Sequence, residues 1–284
     1  MSSRIACSDA SFPLLPPEKL LDLVVLLELK AVDLGLFEGR SQLQPSTVFQ
    51  NTSRVAADYR RQLQERGLRL SDVFLQVDLD FSAWAINHPD IARRRQTREA
   101  YRHALDFAGE CNCHHVTVLP GVVFADEPET DSFQRCADEL RWRCEKAEER
   151  GLVCSIEPHL GSIVPTPAET IRLIDAVPGL TLTLDYTHFV RQGFSESEIE
   201  PLVKQASHFH VRGANSRRLQ ASFKDNTIDY ARVLKVMHET GYQGDLVLEY
   251  VWIDWEHCNE VDNLSETILW RDFITQQLGS TGSS

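Results

Sequence analysis

Short apolar runs alternate eight times with longer segments of helical spacing, and this rhythm limits the chain to very few folds. The runs are Arg4–Cys7, Ala31–Phe37, Leu68–Val77, His115–Pro120, Leu152–Glu157, Leu180–Asp185, Ser207–Val211 and Asp245–Val251. Between them lie Leu20, Leu23, Val24 and Leu27 at helical spacing behind Pro16 and Pro17, then Thr47–Arg66, Ile91–Glu110 and Phe133–Arg150. Pro167–Val177, Glu196–Ala206, Asp229–Thr240 and Leu264–Leu278 complete the set. Buried strands read as short apolar runs and helices as periodic ones, and Gly67, Gly151 and Gly241 stand where helix ends are expected. Successive parallel strands need crossovers of about a dozen residues or more, so this order predicts a parallel sheet with crossover helices. Eight such units close naturally into a (β/α)8 TIM barrel. An open doubly wound sheet is the competitor, and it is opposed by the lack of a glycine-rich phosphate loop after the first strand. The 284 residues suit one barrel, which typically takes about 250. Residues 1–278 are therefore expected as one domain, and the small, polar 279–284 as a disordered tail.

The later runs share an ending. Cys154–Ser155–Ile156 leads to Glu157 before Pro158 and His159, and the next three runs finish at or near Asp185, His210 and Glu249. The strand ends of a (β/α)8 barrel open onto one face, where active sites sit. These four residues should therefore converge although they are far apart in the chain. Three carboxylates and one imidazole suit a divalent cation such as Mn²⁺, Mg²⁺, Co²⁺ or Zn²⁺. Without a cation, three buried carboxylates repel and resist ionisation. Taken singly, each is equally a loop carboxylate or a cap.

Composition removes other classes. A net charge of −13 argues against a phosphate-backbone binder, which needs a basic footprint. Seven scattered cysteines fit reduced thiols and a cytoplasmic location rather than a disulfide framework. Cys111–Asn112–Cys113–His114–His115 invites a zinc reading, but no second half follows at finger spacing, so it is expected to join a helix to a strand. Met1–Ala10 lacks an apolar signal core, and no run approaches the ~20 apolar residues of a membrane span. The acidic run Asp126–Asp131 is expected as solvated surface.

The segments Ile156–Glu157–Pro158–His159, Leu184–Asp185–Tyr186–Thr187–His188, His208–Phe209–His210–Val211 and Gly241–Glu249 resemble the xylose isomerase-like barrel superfamily. Within it they look like the sugar isomerase/epimerase group, which includes ketose 3-epimerases and inosose dehydratases. The resemblance is strong from about residue 150 to 250; before residue 110 it rests on strand–helix order. It implies that Glu157, Asp185, His210 and Glu249 hold one divalent metal, most simply Mn²⁺ or Mg²⁺. It also implies that Glu157 and Glu249 move protons on either side of a ketose. His188 then contacts substrate near the metal, His159 faces the same mouth, and Arg217 binds substrate, with Arg212 and Arg218 flanking it. A proton next to a carbonyl becomes removable when that oxygen is polarised and a carboxylate is at hand. The implied function is an isomerase or epimerase working on a sugar through an enediolate, with no nucleic-acid or membrane partner. Trp252 and Trp255 either stack on the sugar or pack a subunit interface in a homo-oligomer.

Three alternatives stand beside it. The same centre can expel a β-leaving group, which makes a dehydratase or lyase on a keto-sugar or keto-inositol. Endonuclease IV shares the superfamily, but its Asp–x–His metal pair has no histidine to match in Phe223–Tyr230. A non-catalytic carbohydrate-binding protein would bind no activating metal.

Overall fold

A computed structural model describes residues 4–281. The strands in chain order are β1 (Ile5–Ser8), β2 (Ala31–Phe37), β3 (Arg69–Gln76), β4 (His115–Val118), β5 (Val153–Ile156), β6 (Thr181–Asp185), β7 (Ala206–Val211), β8 (Gly213–Asn215), β9 (Arg218–Ala221) and β10 (Leu246–Leu248). Eight of them, β1 to β7 and β10, pair in parallel and close into a barrel, with β10 joining β7 to β1. β8 and β9 form a separate antiparallel hairpin. The expected (β/α)8 barrel is the fold of the chain.

The helices are α1 (Pro17–Leu26), α2 (Pro45–Val48), α3 (Thr52–Glu65), α4 (Ile91–Glu110), α5 (Glu129–Glu148), α6 (Pro167–Ala176), α7 (Tyr186–Val190), α8 (Glu196–Ile199), α9 (Tyr230–Thr240) and α10 (Asn263–Thr281). Local chemistry accounts for many of their ends. Asp90 caps α4, and Thr166 and Glu169 form a reciprocal capping box on α6. The Gly241 C-cap of α9 has φ +74°, a conformation glycine adopts without cost.

Several boundaries differ from the sequence reading for identifiable reasons. Pro201 supplies no N–H, and the expected Glu196–Ala206 helix breaks into α8 and a 3₁₀ segment, Glu200–Gln205. Part of the acidic run is helical: Glu129 and Asp131 lie in the first turn of α5, where the helix dipole favours negative charge. The β8–β9 hairpin and the short α7 have no periodic signal long enough to read. The expected boundary at 278 falls within α10, and residues 282–284 lie outside those described.

Apolar side chains fill the layer between barrel and helices. The barrel's interior is partly polar. Thr117 on β4 is 2.6 Å from Thr183 on β6, His115 on β4 is 2.7 Å from Ser207 on β7, and His208 on β7 is 2.7 Å from Asp33 on β2. Each pair joins strands that are not neighbours in the sheet, so these contacts cross the interior. All seven cysteines are buried thiols. Cys111 and Cys113 point S–H groups at the Ala56 and His115 carbonyls, at a helix-to-strand connection and away from any cluster able to hold a metal among the described residues. No helix among the described residues is long and apolar enough to cross a membrane.

Candidate functional site

Register brings the strand ends together. Asp185 is opposite His210 in the β6–β7 ladder, and Val247 is opposite His210 in the β7–β10 ladder. Glu157 and Glu249 each lie one residue past their strands and still donate backbone N–H groups across, to the Val118 and Val211 carbonyls. All four residues are buried: Glu157 is 7% exposed, Glu249 4%, Asp185 and His210 0%. His210 Nδ1 is 2.7 Å from Glu157 Oε1 and 3.2 Å from Glu249 Oε2. The other ring nitrogen, Nε2, is 3.2 Å from Asp33 Oδ2, which also accepts from His208 Nε2 at 2.7 Å. Asp33 thereby holds the ring with Nδ1 toward the two glutamates.

Asp185 does two jobs. Its Oδ1 accepts the Thr187 N–H at 2.8 Å and so starts α7, which carries His188 back over the cluster. Its Oδ2 accepts from Arg212 Nε at 3.0 Å and Nη2 at 2.7 Å. Arg212 is 3% exposed and its Nη2 is 4.0 Å from Glu249 Oε2. His188 Nε2 is 3.7 Å from Asp185 Oδ2, and His188 Nδ1 accepts the Leu160 N–H at 3.4 Å.

Burial and charge pull against each other here. Burial raises the Glu157 carboxyl to about 7; the His210 hydrogen bond opposes that, and Glu249 and Asp185 add to it. Burial would lower His210, but Glu249, Asp33 and Glu157 outweigh it and hold the ring well above the usual histidine range. Asp185 is held down at about 2 despite burial, because Arg212 and His188 face it. Asp33 is likewise held low against burial by His208 and His210. The His210 imidazolium and the Arg212 guanidinium thus offset part of the cluster's negative charge.

The mouth above is a cleft of about 480 Å³, whose lining includes Glu157, His159, His188, Arg212, Glu249 and Trp255. His159 donates Nδ1–H to the Glu157 carbonyl at 3.1 Å, which leaves Nε2 as an acceptor, and that buried Nε2 has no partner. Burial lowers this imidazole to about 4 and His188 to about 3, so both rings are neutral at physiological pH. Phe81, His159, His188 and Trp255 form a closed circuit of rings with centroids 5.1, 6.0, 6.1 and 5.9 Å apart.

Six of the seven residues singled out from the sequence as the site therefore meet at one mouth: Glu157, His159, Asp185, His188, His210 and Glu249. Arg217 does not. It is exposed on the β8–β9 hairpin, and its neighbour Arg218 pairs with Glu260. Arg40 and Arg212 are the arginines on the cleft lining, and Arg212 is the one paired with Asp185. Its place was readable: His208, His210 and Arg212 are spaced by two along β7 and its extension, so they share one face of the strand. Asp33 had no such signal beyond being a carboxylate inside an apolar run. Of the two tryptophans, Trp255 lines the cleft, while Trp252 is 48% exposed.

A closed parallel barrel with acidic and imidazole side chains at the C-terminal mouth defines the class of protein. Among the described residues, three groups of Asp, Glu and His side chains are able to hold a metal ion: Glu157–His210–Glu249, Glu157–Asp185–His188 and Asp33–His208–His210. The chain belongs to the xylose isomerase-like TIM barrel family, whose model matches residues 22–272. Among curated proteins none matches. Solved structures share the fold at low identity. D-psicose 3-epimerase from Clostridium cellulolyticum H10, in a structure with D-tagatose, superposes with TM-score 0.76 at 14% identity, covering 97% of this chain and 99% of that one. A xylose isomerase-like TIM barrel protein from Mycobacterium smegmatis in complex with magnesium gives 0.74 at 16%, covering 98% and 97%. The probable 3-DHS dehydratase involved in petrobactin synthesis from Bacillus anthracis gives 0.70 at 13%, covering 96% and 98%. At these identities the likeness establishes the fold alone.

Proposed function

We propose that this chain is a divalent-metal-dependent isomerase or epimerase acting on a ketose or related sugar ketone through an enediolate. The observation that carries this reading is the convergence of Glu157, Asp185, His210 and Glu249 in one buried cluster, with His210 oriented by Asp33. The donor set fits a divalent ion. A ligating histidine characteristically gives its second ring N–H to a carboxylate, and His210 Nε2 faces Asp33 in that way. Asp185 Oδ1 keeps a lone pair beyond the one hydrogen bond it accepts from Thr187, while Oδ2 accepts two from Arg212. Mn²⁺ or Mg²⁺ held by these four residues supplies Lewis-acid polarisation of the substrate's oxygens.

The remaining work falls to side chains. Glu157 and Glu249 reach the cluster from strands on either side of β7, so one can take the proton beside the carbonyl while the other returns it. Arg212 and His188 present N–H groups to developing charge on substrate oxygens. His159 Nε2 accepts from a substrate hydroxyl. The substrate-binding role expected of Arg217 passes in this reading to Arg212. The buried thiols suit a reducing compartment, the cytoplasm.

A dehydratase reading uses the same cluster, and one structural neighbour is a probable dehydratase. The two diverge only after the proton leaves: elimination loses water, epimerisation does not. The test is solvent exchange. Purified protein with Mn²⁺ or Mg²⁺ is incubated in D₂O with ketoses, keto-inositols and 3-keto-glycosides, and the products are read by NMR and mass spectrometry. Deuterium is expected at one carbon next to the carbonyl, without loss of water. Glu157→Gln and Glu249→Gln should each slow incorporation by roughly 10²–10⁴-fold. Full incorporation by either variant sinks the mechanism.

A further inference from the structure

Beside the polar mouth lies a second cleft of about 530 Å³ under the loop that follows β3. The two clefts share Gln76, Phe81, Leu119 and His159, so one continues into the other. Their linings differ in chemistry. The mouth presents glutamates, histidines and Arg212; the annex is walled mainly by Leu75, Val77, Trp84, Ile86, Val118 and Val122, with Asp78 and Asp80 also on its lining.

The roof of the annex is tied down. The Asn87 side chain donates to the Val122 and Ser132 carbonyls at 2.7 and 3.1 Å and accepts the Val122 N–H at 3.2 Å. Gly121 (φ +91°) lets it approach: a Cβ there would lie 2.4 Å from Asn87 Oδ1. Arg93 stacks over Trp84 at 5.3 Å and donates to the Ala83 carbonyl at 2.5 Å. A loop braced at these points keeps the annex from collapsing onto its apolar walls.

Three buried polar atoms of its lining, His159 Nε2, Arg143 Nε and the Tyr101 hydroxyl, have no partner. His159 Nε2 stands where annex and mouth meet. Arg143, which is fully buried, lines the side away from the mouth with Thr97 and Tyr101, and its Nε has no partner. A hydroxylated sugar chain placed along the apolar walls would leave its O–H groups unpaired, which is costly. A flat ring would instead meet Phe81 and Trp84 and approach a guanidinium.

We infer that the substrate is a sugar ketone bearing an aryl group, with the ketone over the strand-end cluster and the aryl ring in the annex between Trp84 and Val122. This rests on the sugar-ketone reading above and extends it to a substrate class, aryl glycosides oxidised on the ring.

Two probes differing only in the aglycone separate the claims: methyl and phenyl 3-keto-β-D-glucopyranoside. Each is titrated calorimetrically into Mn²⁺-loaded protein and followed for deuterium exchange beside the ketone. The phenyl compound should bind at least about tenfold more tightly, the scale expected for burying one ring. Trp84→Ala should reduce that preference to about twofold or less without changing binding or exchange of the methyl compound. Val77→Gln, at a half-buried wall position, should do the same and guards against a folding defect in the first variant. Equal affinity for the two probes with exchange intact overturns the aryl annex and leaves the sugar-ketone reading standing. A phenyl preference that survives both substitutions also overturns it. Exchange with a ketose or keto-inositol but with neither probe overturns the aryl glycoside alone; exchange with no ketone of the panel removes the sugar-ketone reading, and the annex with it.

Discussion

At the mouth, the Arg212 guanidinium lies between Asp185 and Glu249 and is almost wholly buried, whereas Arg217 points to solvent from the β8–β9 hairpin. Both hydrogen bonds to Asp185 end on one oxygen, so Arg212 acts through its planar fork as well as its charge. Arg212→Ala should lower kcat/KM for the exchanging ketone by about 10²-fold or more, since a buried charge loses its partner and the substrate loses a donor. Arg212→Lys should recover only part of that. Arg217→Ala should stay within about twofold of the parent, as exposed substitutions usually do. Steady-state kinetics on the three variants decide the matter, and a large loss in the Arg217 variant alone would reverse the assignment. The sequence contained the information for the choice in the two-residue spacing of His208, His210 and Arg212. It did not contain the end of the strand, which decides whether that spacing persists past Val211.

At the scale of elements, α4 and α5 are joined through Glu139, a buried residue of α5. Its carboxylate takes Arg94 from α4 at 3.2 Å, Arg98 from α4 at 2.9 Å and Arg143, one turn on, at 3.0 Å. Arg143 is fully buried, so removing the anion leaves a cation with no solvent to turn to. Glu139→Ala should cost about 3–5 kcal/mol in urea unfolding, the range for breaking one side of a buried pair. A loss below about 1 kcal/mol would show that the cluster is no stronger than a surface pair. The helices themselves differ in how readable they are. Ile91–Glu110 emerges from the sequence with both ends correct, because Asp90 caps it and the apolar spacing of Tyr101, Leu105 and Ala108 reaches its last turn. Glu196–Ala206 does not, because periodicity continued through Pro201 while the hydrogen-bond ladder could not. The partners of Glu139 lie 41 to 45 positions away in α4, and no local pattern announces them.

For the whole molecule, the cluster couples the barrel's stability to pH and, on the function proposed above, to metal. Glu157 titrates at about 7 in the folded chain against 4.5 as its ordinary value, and His210 lies well above 6.5. Both bind protons more firmly folded than unfolded. The stability contributed by Glu157 is therefore full below about 4.5 and lost as pH rises to about 7, while that of His210 is lost at higher pH still. Asp33 and Asp185 are held low, so their opposite contribution disappears only in acid, outside this window. Metal binding requires His210 neutral at Nδ1 and Glu157 ionised, so it releases protons and strengthens with pH. The gain in Tm on adding saturating Mn²⁺ should be larger at pH 8 than at pH 6, by roughly 2 °C or more for a chain of this size. Thermal scans with Mn²⁺ and with a chelator at both values measure it. An equal or smaller gain at pH 8 contradicts the cluster as the site of binding.

The division between sequence and tertiary structure follows the range of the forces involved. Apolar periodicity, caps and prolines act over a few residues, and they were enough to determine the eightfold strand–helix alternation, hence the parallel barrel. They also located Glu157, Asp185, His210 and Glu249 at strand ends. Closure of the barrel decided the rest. It set β2 across from β7, so that Asp33 reaches His208 and His210 from 175 and 177 positions away. It turned Arg212 inward and left Arg217 outside. It also opened an apolar annex between the loop after β3 and the helices α4 and α5. Those contacts exist only because a twisted parallel sheet must bend until its first and last strands meet, and no short stretch of chain carries that condition.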